Sequence, residues 1–171
     1  MMQRTKAAAL SAGFFVVAPG TVVGLIPWLI THWRFHQPLP GWGPVRIVGA
    51  VLVVAGLIPP VSAFAEFVKA GGTPMPVAPT ERLVVSGFNR YVRNPMYLGL
   101  LVAIIGQALL FGNPRLLIYA AAVWVAPAAF VRWYEEPTLA RTFGAEYDAY
   151  RRAVPAWVPR LHPWTPGGMN R

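Results

Sequence analysis

Four long apolar segments decide what this chain can fold into. They cover about residues 7–31, 46–67, 95–111 and 114–131. A helix needs roughly 20 apolar residues to span a bilayer, so the first two segments are long enough, while the third is short and the fourth is marginal. The first segment is also longer than the apolar core of a signal peptide, and we interpret it as a helix. The pattern predicts an all-α, polytopic membrane protein with about four transmembrane helices.

The composition agrees with a membrane protein. Of the 171 residues, 56% are hydrophobic and only 12% are charged, whereas soluble domains carry about 25% charged residues. A chain of this length is too short for two large domains, so we expect residues 1–171 to form a single membrane domain. The chain has no cysteine, which excludes disulfides, thiolate nucleophiles, iron–sulfur clusters and cysteine-ligated zinc. No metal site is expected.

Turn signals and helical spacing organise the rest of the chain. The sequence FGNPR at residues 111–115 is a Gly-Asn-Pro turn, which predicts that the last two apolar segments form an antiparallel helical hairpin. The loop of residues 68–94 is rich in Pro and Gly and is expected to be extended. In the tail, residues 132–171, apolar side chains recur at near-helical spacing. This pattern predicts one amphipathic helix that lies on the bilayer or packs against the loop; its apolar residues are Leu139, Phe143, Tyr147 and Tyr150.

The net charge of +9 is unevenly distributed. With four spans and both termini on one side of the membrane, twelve Lys and Arg residues fall on that side and only Arg34, Arg46 and Arg115 on the other. This is the positive-inside pattern, so the loop and the tail are predicted to be cytoplasmic, with a secondary attraction to anionic lipid. The bilayer is the expected partner and nucleic acid is not. Arginine outnumbers lysine 13 to 2, a bias typical of GC-rich bacteria, and we predict a bacterial inner-membrane location.

A basic Asn-Pro step stands directly before the third apolar segment. Asn is a favoured N-cap and Pro suits the first helical position, so Asn94 and Pro95 predict a helix start at the cytoplasmic surface. The N–H groups and positive dipole end of that helix suit an anionic group, and Arg90 and Arg93 add full charges nearby. The alternative interpretation is a capped helix with arginines at the membrane interface.

Arg132, Glu135 and Glu136 form a second charged group, directly after the fourth segment. Paired acids are unexpected at a membrane boundary on the basic face. Because the hairpin brings the cytoplasmic ends of the last two helices together, this group is expected to face Asn94 and Pro95. The alternative interpretation is an ordinary ion-pair cluster between the two glutamates and the arginines of the loop.

Two motifs in the second half of the chain resemble a known family. They are TPMPVAPTERLVVSGFNRYVRNPMYLG at residues 73–99 and EEPTLARTFGAEYDAYRRAVPAWVP at residues 135–159. They contain, in order, an R-(H/N)-P-x-Y-x-G block and an E-E-x-x-L-x-x-x-F-G-x-x-Y-x-x-Y block. The sequence is similar here to the isoprenylcysteine carboxyl methyltransferases, which belong to a wider group that includes phospholipid methyltransferases. The resemblance covers roughly residues 72–159.

The resemblance implies an integral membrane enzyme that binds S-adenosylmethionine on its cytosolic side. Arg132 lies near a substrate-side arginine of the family, and Arg132 and Glu136 are the candidate catalytic residues. Two positions depart from the family pattern, since Asn94 stands where many members have His and Asn89 where members often have Tyr. The residues that the resemblance places at the cofactor are Leu83, Val84, Asn94, Pro95, Met96, Tyr97, Glu135 and Glu136.

The residue types suit this chemistry. Methyl transfer from a sulfonium needs positioning and exclusion of water rather than a protein nucleophile or a metal. The cationic groups of the cofactor call for carboxylates and aromatic faces, which Glu135, Glu136 and Tyr97 can supply. An acceptor that enters from the bilayer would be amphipathic or lipid-like and would carry a carboxylate, a thiol or an amine.

Two other function classes compete with this reading. Membrane sterol reductases, which bind NADPH, have a broadly similar tail, but this chain is short for that group and carries the Glu-Glu block of the methyltransferases. A non-enzymatic transporter or scaffold is the other alternative. Against it, the apolar segments contain no charged residue away from their ends, whereas ion pathways usually require some.

Overall fold

The computed structural model of the protein describes residues 13, 17–69, 83 and 85–165, and for residues 64–69 it describes the backbone alone. The predicted cofactor residue Val84 and residues 70–82 of the predicted loop lie outside the described residues, as do residues 7–12 and 14–16 of the first apolar segment. Every regular element of the described residues is helical, with no strand among them. The all-α prediction is confirmed to that extent.

The described helices follow the predicted segments in order. We number them α1 Val17–Thr31, α2 Gly43–Lys69, α3 Pro95–Phe111, α4 Arg115–Phe143 and α5 Ala145–Ala153, with a short 3-10 turn at Gly87–Arg90. Two stretches, Gly43–Ala63 and Arg115–Phe143, are long and apolar enough to cross a membrane, and α1 and α3 are shorter apolar helices. These stretches agree with a membrane protein, while the count of four spans stays a prediction.

The last two helices differ in extent from the predicted segments. The fourth predicted span covers residues 114–131, and α4 continues beyond it to Phe143 through a π-helical turn at Val131–Glu135. The tail was expected to hold one amphipathic helix across Leu139 and Tyr150, but α4 and α5 are separate helices that meet at Gly144. Gly144 has φ of +52°, a conformation that breaks the helix and that glycine adopts at little cost.

The chain divides into two compact units. The first unit comprises Met1–Pro76 and Met96–Val125, and the second comprises Val77–Pro95 and Ala126–Arg171. In the first unit α3 and α4 share a core, and the turn between them, residues 112–114, is the predicted Gly-Asn-Pro turn, with Gly112 at φ +65°. The buried residues of this core are Ile104, Ala108, Phe111, Leu116 and Ala120.

Glycines bring α2 and α3 into backbone contact within the first unit. A Cβ atom on Gly56 would lie 2.6 Å from the carbonyl oxygen of Gly99, and one on Gly106 would lie 2.7 Å from that of Gly49. The two pairs are seven residues apart on each helix, so they lie on one face of each helix. Small residues that let helix backbones approach closely are typical of helix packing in membranes.

A proline accounts for the π-helical turn Thr21–Leu25 of α1. Pro27 lacks an N–H, and its ring would collide with the carbonyl four residues earlier in a regular helix. The widened turn relieves that collision. Because Pro27 has no N–H to donate, side chains from α3 and α4 donate hydrogen bonds to the carbonyls of the turn instead. Gln107 Nε2 donates to the Val23 carbonyl at 2.8 Å, and the Tyr119 hydroxyl donates to the Val22 carbonyl at 2.9 Å.

The second unit has its own core, in which α5 packs against the end of α4 and against the chain after α5. Tyr147, Tyr150 and Val154 are fully or almost fully buried. Leu83, Leu139 and Trp164 are among the partly buried residues that pack against them. The core therefore draws on three stretches of sequence: the end of the loop, the α4–α5 region and the last described residues.

Candidate functional site

Two segments of the second unit meet at the predicted site. The residues before α3 supply Arg93 and Asn94, while the π-helical turn of α4 and the start of its last stretch supply Glu135 and Glu136. Pro137 follows the π-helical turn Val131–Glu135 at the same offset as Pro27 follows the turn in α1. Because a proline ring demands the same relief in both helices, Pro137 explains why the helix widens at the two acids. Such π turns are frequent at functional sites.

Glu136 is the most heavily paired group in this region. It is buried, and one carboxylate oxygen forms an ion pair with Arg93 whose two side chains are only 12% and 9% exposed. The other carboxylate oxygen lies 3.9 Å from Arg132 and 4.0 Å from Arg151, both of which are more exposed. Glu136 therefore holds the loop to α4, as the ion-pair interpretation of the sequence had allowed.

Arg93 is held on every side. Its Nη1 also donates to the Tyr147 hydroxyl at 3.1 Å, and its Nε donates to the Val154 carbonyl at 3.0 Å. Its backbone N–H donates to the Pro155 carbonyl at 2.9 Å. These hydrogen bonds, together with the ion pair to Glu136, fix the position of the Arg93 guanidinium at the site.

Residues 155–164, which follow α5, hold the segment before α3 in place through hydrogen bonds, and we call them the strap. The Asn94 side-chain amide donates to the Ala156 carbonyl at 3.1 Å, and the Arg160 N–H donates to the Tyr91 carbonyl at 2.9 Å. Farther along, Arg90 Nε donates to the Trp164 carbonyl at 2.8 Å. Asn94 precedes the helix that starts at Pro95, as predicted, but its side chain serves this strap.

Glu135 is placed differently from Glu136. It is partly exposed, and among the described residues the ion pairs of the two acids all go to Glu136. Both acids line a small cavity of about 30 Å³ together with Arg93, Asn94, Val131, Leu139, Tyr147 and Tyr150. Of the two carboxylates that line this cavity, Glu135 is the more exposed.

Two tyrosines of α5 close the cavity from the other side. Burial raises the pKa of Tyr150 to about 12, although Arg93 acts in the opposite direction. Burial also raises the pKa of Tyr147, and Arg93 again opposes it. Both phenols therefore keep their protons at neutral pH. The Tyr150 hydroxyl donates its proton to the Asn89 carbonyl at 2.7 Å, while Tyr147, which accepts from Arg93, retains a proton to donate.

The structure brings most of the predicted site residues into one unit. Leu83 packs against the tyrosine core, and Asn94, Pro95, Arg132, Glu135 and Glu136 belong to the same unit. Met96 and Tyr97 form the first turn of α3 and are assigned to the first unit.

Several residues of the cavity are not among the predicted site residues. Arg93, Leu139, Tyr147 and Tyr150 line it, and Arg151 lies against Glu136. The first four of these are fixed positions of the two motifs, but the sequence indicates Arg93 as a charge beside the helix start or an ion-pair partner of the glutamates, and the other three as the apolar side of a helix. The backbone carbonyls of the tail that accept hydrogen bonds from Arg93 and Asn94 cannot be recognised in the sequence, because every residue type has a carbonyl.

The motifs that meet in this cavity also match known proteins. The family model described as phospholipid methyltransferase matches residues 45–146, more than half of the chain. The chain belongs to the phospholipid methyltransferase family. The match begins in α2 and ends in α5, so it includes the R-(H/N)-P-x-Y-x-G block at residues 93–99, both glutamates and the π-helical turn Val131–Glu135.

The chain is similar to two proteins named as protein-S-isoprenylcysteine O-methyltransferases. One is protein-S-isoprenylcysteine O-methyltransferase A of Arabidopsis thaliana, which is 29% identical over 157 residues, 91% of this chain and 75% of the relative. The other is protein-S-isoprenylcysteine O-methyltransferase of Schizosaccharomyces pombe, 33% identical over 80 residues. That match covers 46% of this chain and only 34% of the length of the yeast protein. No solved structure matches this family member.

Proposed function

We propose that this protein is an integral membrane methyltransferase that uses S-adenosylmethionine and acts on an amphipathic or lipid-like acceptor. The observation that carries the proposal is the meeting of two distant family motifs in one cavity. Arg93 and Asn94 come from the first motif, and Glu135 and Glu136 come from the second. Both relatives are named as O-methyltransferases, which supports the same reaction class.

The donor set of the cavity fits the amino-acid part of S-adenosylmethionine. Glu135 offers a carboxylate for the ligand's ammonium group, and charge-assisted hydrogen bonds of that kind are among the strongest available. The exposed guanidinium of Arg132 suits a carboxylate, on the cofactor or on the acceptor. Met96 and Tyr97 are further cofactor residues in the proposal, together with Leu83, Val84, Asn94 and Pro95. When bound, the cofactor supplies a methyl group on an electrophilic sulfonium.

The size of the cavity sets a condition on binding. Ligand pockets usually have volumes of about 300–1,000 Å³, and the cavity around Glu135 has about 30 Å³. The Arg93–Glu136 pair is buried and makes several hydrogen bonds, so these two side chains are the least able to move when the cavity opens. We infer that Glu135 and the exposed Arg132 move when the site opens, while Glu136 keeps the loop attached to α4.

The side chains of the site act by binding and positioning. Glu135 binds a cation, Tyr147 offers a proton donor, and the Arg93–Glu136 pair fixes the frame. No described side chain here is assigned as a general base, which favours acceptors that are nucleophilic at neutral pH, such as carboxylates or thiolates, over amines. The arginine distribution supports a site on the cytoplasmic side of a bacterial inner membrane.

Transfer of a labelled methyl group tests the function. Membranes from cells with and without the protein are incubated with methyl-labelled S-adenosylmethionine, and products are partitioned between solvent and water. We expect new label in the lipid-soluble fraction. Label confined to polar, water-soluble products would contradict a membrane-facing acceptor. In a parallel assay, stabilisation of the detergent-solubilised protein by NADPH but not by S-adenosylmethionine would instead favour the reductase class.

A further inference from the structure

A second cavity lies in the first unit, beside the turn that follows α3. Its volume is about 610 Å³, and it is formed by the end of α1, the chain between α1 and α2, and the turn between α3 and α4. Four of its side chains are basic or imidazole groups: His32, Arg34, His36 and Arg115. Two amide side chains, Gln37 and Asn113, and the hydroxyl side chain of Thr31 also line it. Nothing in the proposed methyl transfer uses these residues.

Strained backbone builds this cavity. His32 and Trp33 are consecutive non-glycine residues with φ of 47° and 53°. Such residues persist only where the surroundings fix them, and they are concentrated at ligand sites. Here Thr31 fixes them, because its hydroxyl donates to the Pro27 carbonyl at 2.8 Å and accepts from the Trp33 N–H at 3.0 Å. The strained pair turns the chain sharply at the end of α1, and the chain then runs on with Arg34 and His36.

The loop is also fixed to the neighbouring elements. The His36 N–H donates to the Phe111 carbonyl at 2.8 Å, and Arg46 of α2 donates to the His36 carbonyl at 3.1 Å. The Phe35 ring packs against Phe111 with centroids 5.3 Å apart. Phe35 also lies under the Arg46 guanidinium, at 5.2 Å. The backbone that carries Arg34 and His36 is therefore fixed by contacts with α2 and α3.

The cavity has positive charge with no carboxylate to balance it. In the sequence ranges 1–76 and 96–125, which make up the first unit, Glu66 is the one acidic residue. It lies twenty residues from Arg46 along α2, or about 30 Å of helix. Among the described residues of this unit, Arg34 and Arg115 therefore have no carboxylate partner. Arginine guanidinium groups are the preferred partners of phosphate oxygens, with imidazole and amide groups as further donors.

We propose that this cavity binds a phosphate group, and that Arg34 and Arg115 are its main ligands. The α4 N-terminus itself is not the anion site, because Asn113 Oδ1 already accepts from the Arg115 N–H at 3.1 Å. The binding therefore rests on side chains. At a membrane surface the phosphate comes either from a phospholipid head group or from free phosphate, and the shared chemistry is the phosphate oxygen.

Ligand-induced stabilisation of the purified, delipidated protein tests this site. The probes are dihexanoyl phosphatidylglycerol, inorganic phosphate, and dihexanoylglycerol as the phosphate-free lipid. The test variant is Arg34→Gln/Arg115→Gln. The matched control, Arg141→Gln/Arg152→Gln, removes the same charge from exposed positions of the second unit. We expect a saturable rise in Tm with phosphatidylglycerol and none with dihexanoylglycerol. Each arginine should contribute about tenfold in affinity.

Every outcome decides between alternatives. A response to phosphatidylglycerol alone assigns the site to a lipid head group, and an equal response to inorganic phosphate assigns it to free phosphate. Loss of either response in the test variant but not in the control supports the proposal. Equal binding by the two variants, or no response to either phosphate probe, overturns it. If the double variant does not purify folded, the single variants Arg34→Gln and Arg115→Gln give the same comparison.

Discussion

Glu135 and Glu136 are neighbours with different surroundings, and we expect them to have different roles. Glu136 is buried against Arg93, with Arg132 and Arg151 close to its other oxygen. Glu135 faces the cavity and has none of these pairs. A buried ion pair contributes little net stability, but removal of one partner leaves an uncompensated buried charge. We therefore expect Glu136 to be needed for folding and Glu135 for ligand binding.

Replacement of Glu136 tests the structural half of this assignment. Glu136→Gln should destabilise the protein by about 3–5 kcal/mol, because the Arg93 guanidinium would stay buried without its carboxylate. Thermal unfolding in detergent measures the effect. The double variant Arg93→Met/Glu136→Gln should lose less than the sum of the two single variants, because it leaves no unpaired charge. Additive losses would contradict the pairing.

At the scale of elements, prolines and glycines determine how the helices are built. Pro27 and Pro137 each follow a π-helical turn. Because Pro27 has no N–H to donate, Gln107 and Tyr119 donate hydrogen bonds to the Val23 and Val22 carbonyls. The bounds of α3 and the turn after it could be predicted from the sequence, because Asn-Pro and Gly-Asn-Pro act locally. The two π-helical turns could not, because regular helical spacing gives no sign of one inserted residue.

Gln107 and Pro27 are expected to be energetically coupled. Gln107→Leu leaves the Val23 carbonyl without its donor, and an unsatisfied buried acceptor costs about 1–3 kcal/mol. Pro27→Ala supplies a backbone N–H in place of that donor. The loss in Tm caused by Gln107→Leu should therefore shrink in the Pro27→Ala background. An unchanged loss in that background would show that Gln107 acts through some other contact.

The glycine contact between α2 and α3 makes a separate prediction. A Cβ on Gly56 would lie 2.6 Å from backbone atoms of Ala103 and Gly99, which cannot move independently. Gly56→Ala should therefore destabilise the protein by about 1–3 kcal/mol, the usual cost of overpacking. Gly20→Ala is the matched control, since its Cβ would meet nothing within 4 Å. The two Tm values give the comparison, and equal values would rule out close packing at Gly56.

For the whole molecule, the sequence predicted a helical membrane protein, and the structure shows the contacts that hold the site residues in place. Long apolar segments predicted a helical membrane protein, and the two motifs predicted that the Asn94 block and the glutamates meet. The split at Gly144 and the strap by residues 155–164 were not predicted. The strap acts through backbone carbonyls such as those of Pro155 and Ala156, and any residue type supplies a carbonyl.

The sidedness of the molecule is predicted from its charges alone and is open to direct labelling. The chain has no native cysteine, so single cysteines can be introduced at Leu39, on the predicted external side, and at Thr142, on the predicted cytoplasmic side. Both residues are exposed. In intact cells a membrane-impermeant maleimide should label Leu39→Cys but not Thr142→Cys until the cells are broken. The reverse pattern would invert the topology.

We expect Glu135 to bind S-adenosylmethionine, and calorimetric titration of the detergent-solubilised protein measures this binding. The wild-type protein should bind. Glu135→Gln should bind about 10–100-fold more weakly, since a charge-assisted hydrogen bond contributes about 1.5–3 kcal/mol. Glu146→Gln, which removes an exposed acid of α5, should bind like the wild type. Unchanged affinity in a folded Glu135→Gln protein would contradict the site.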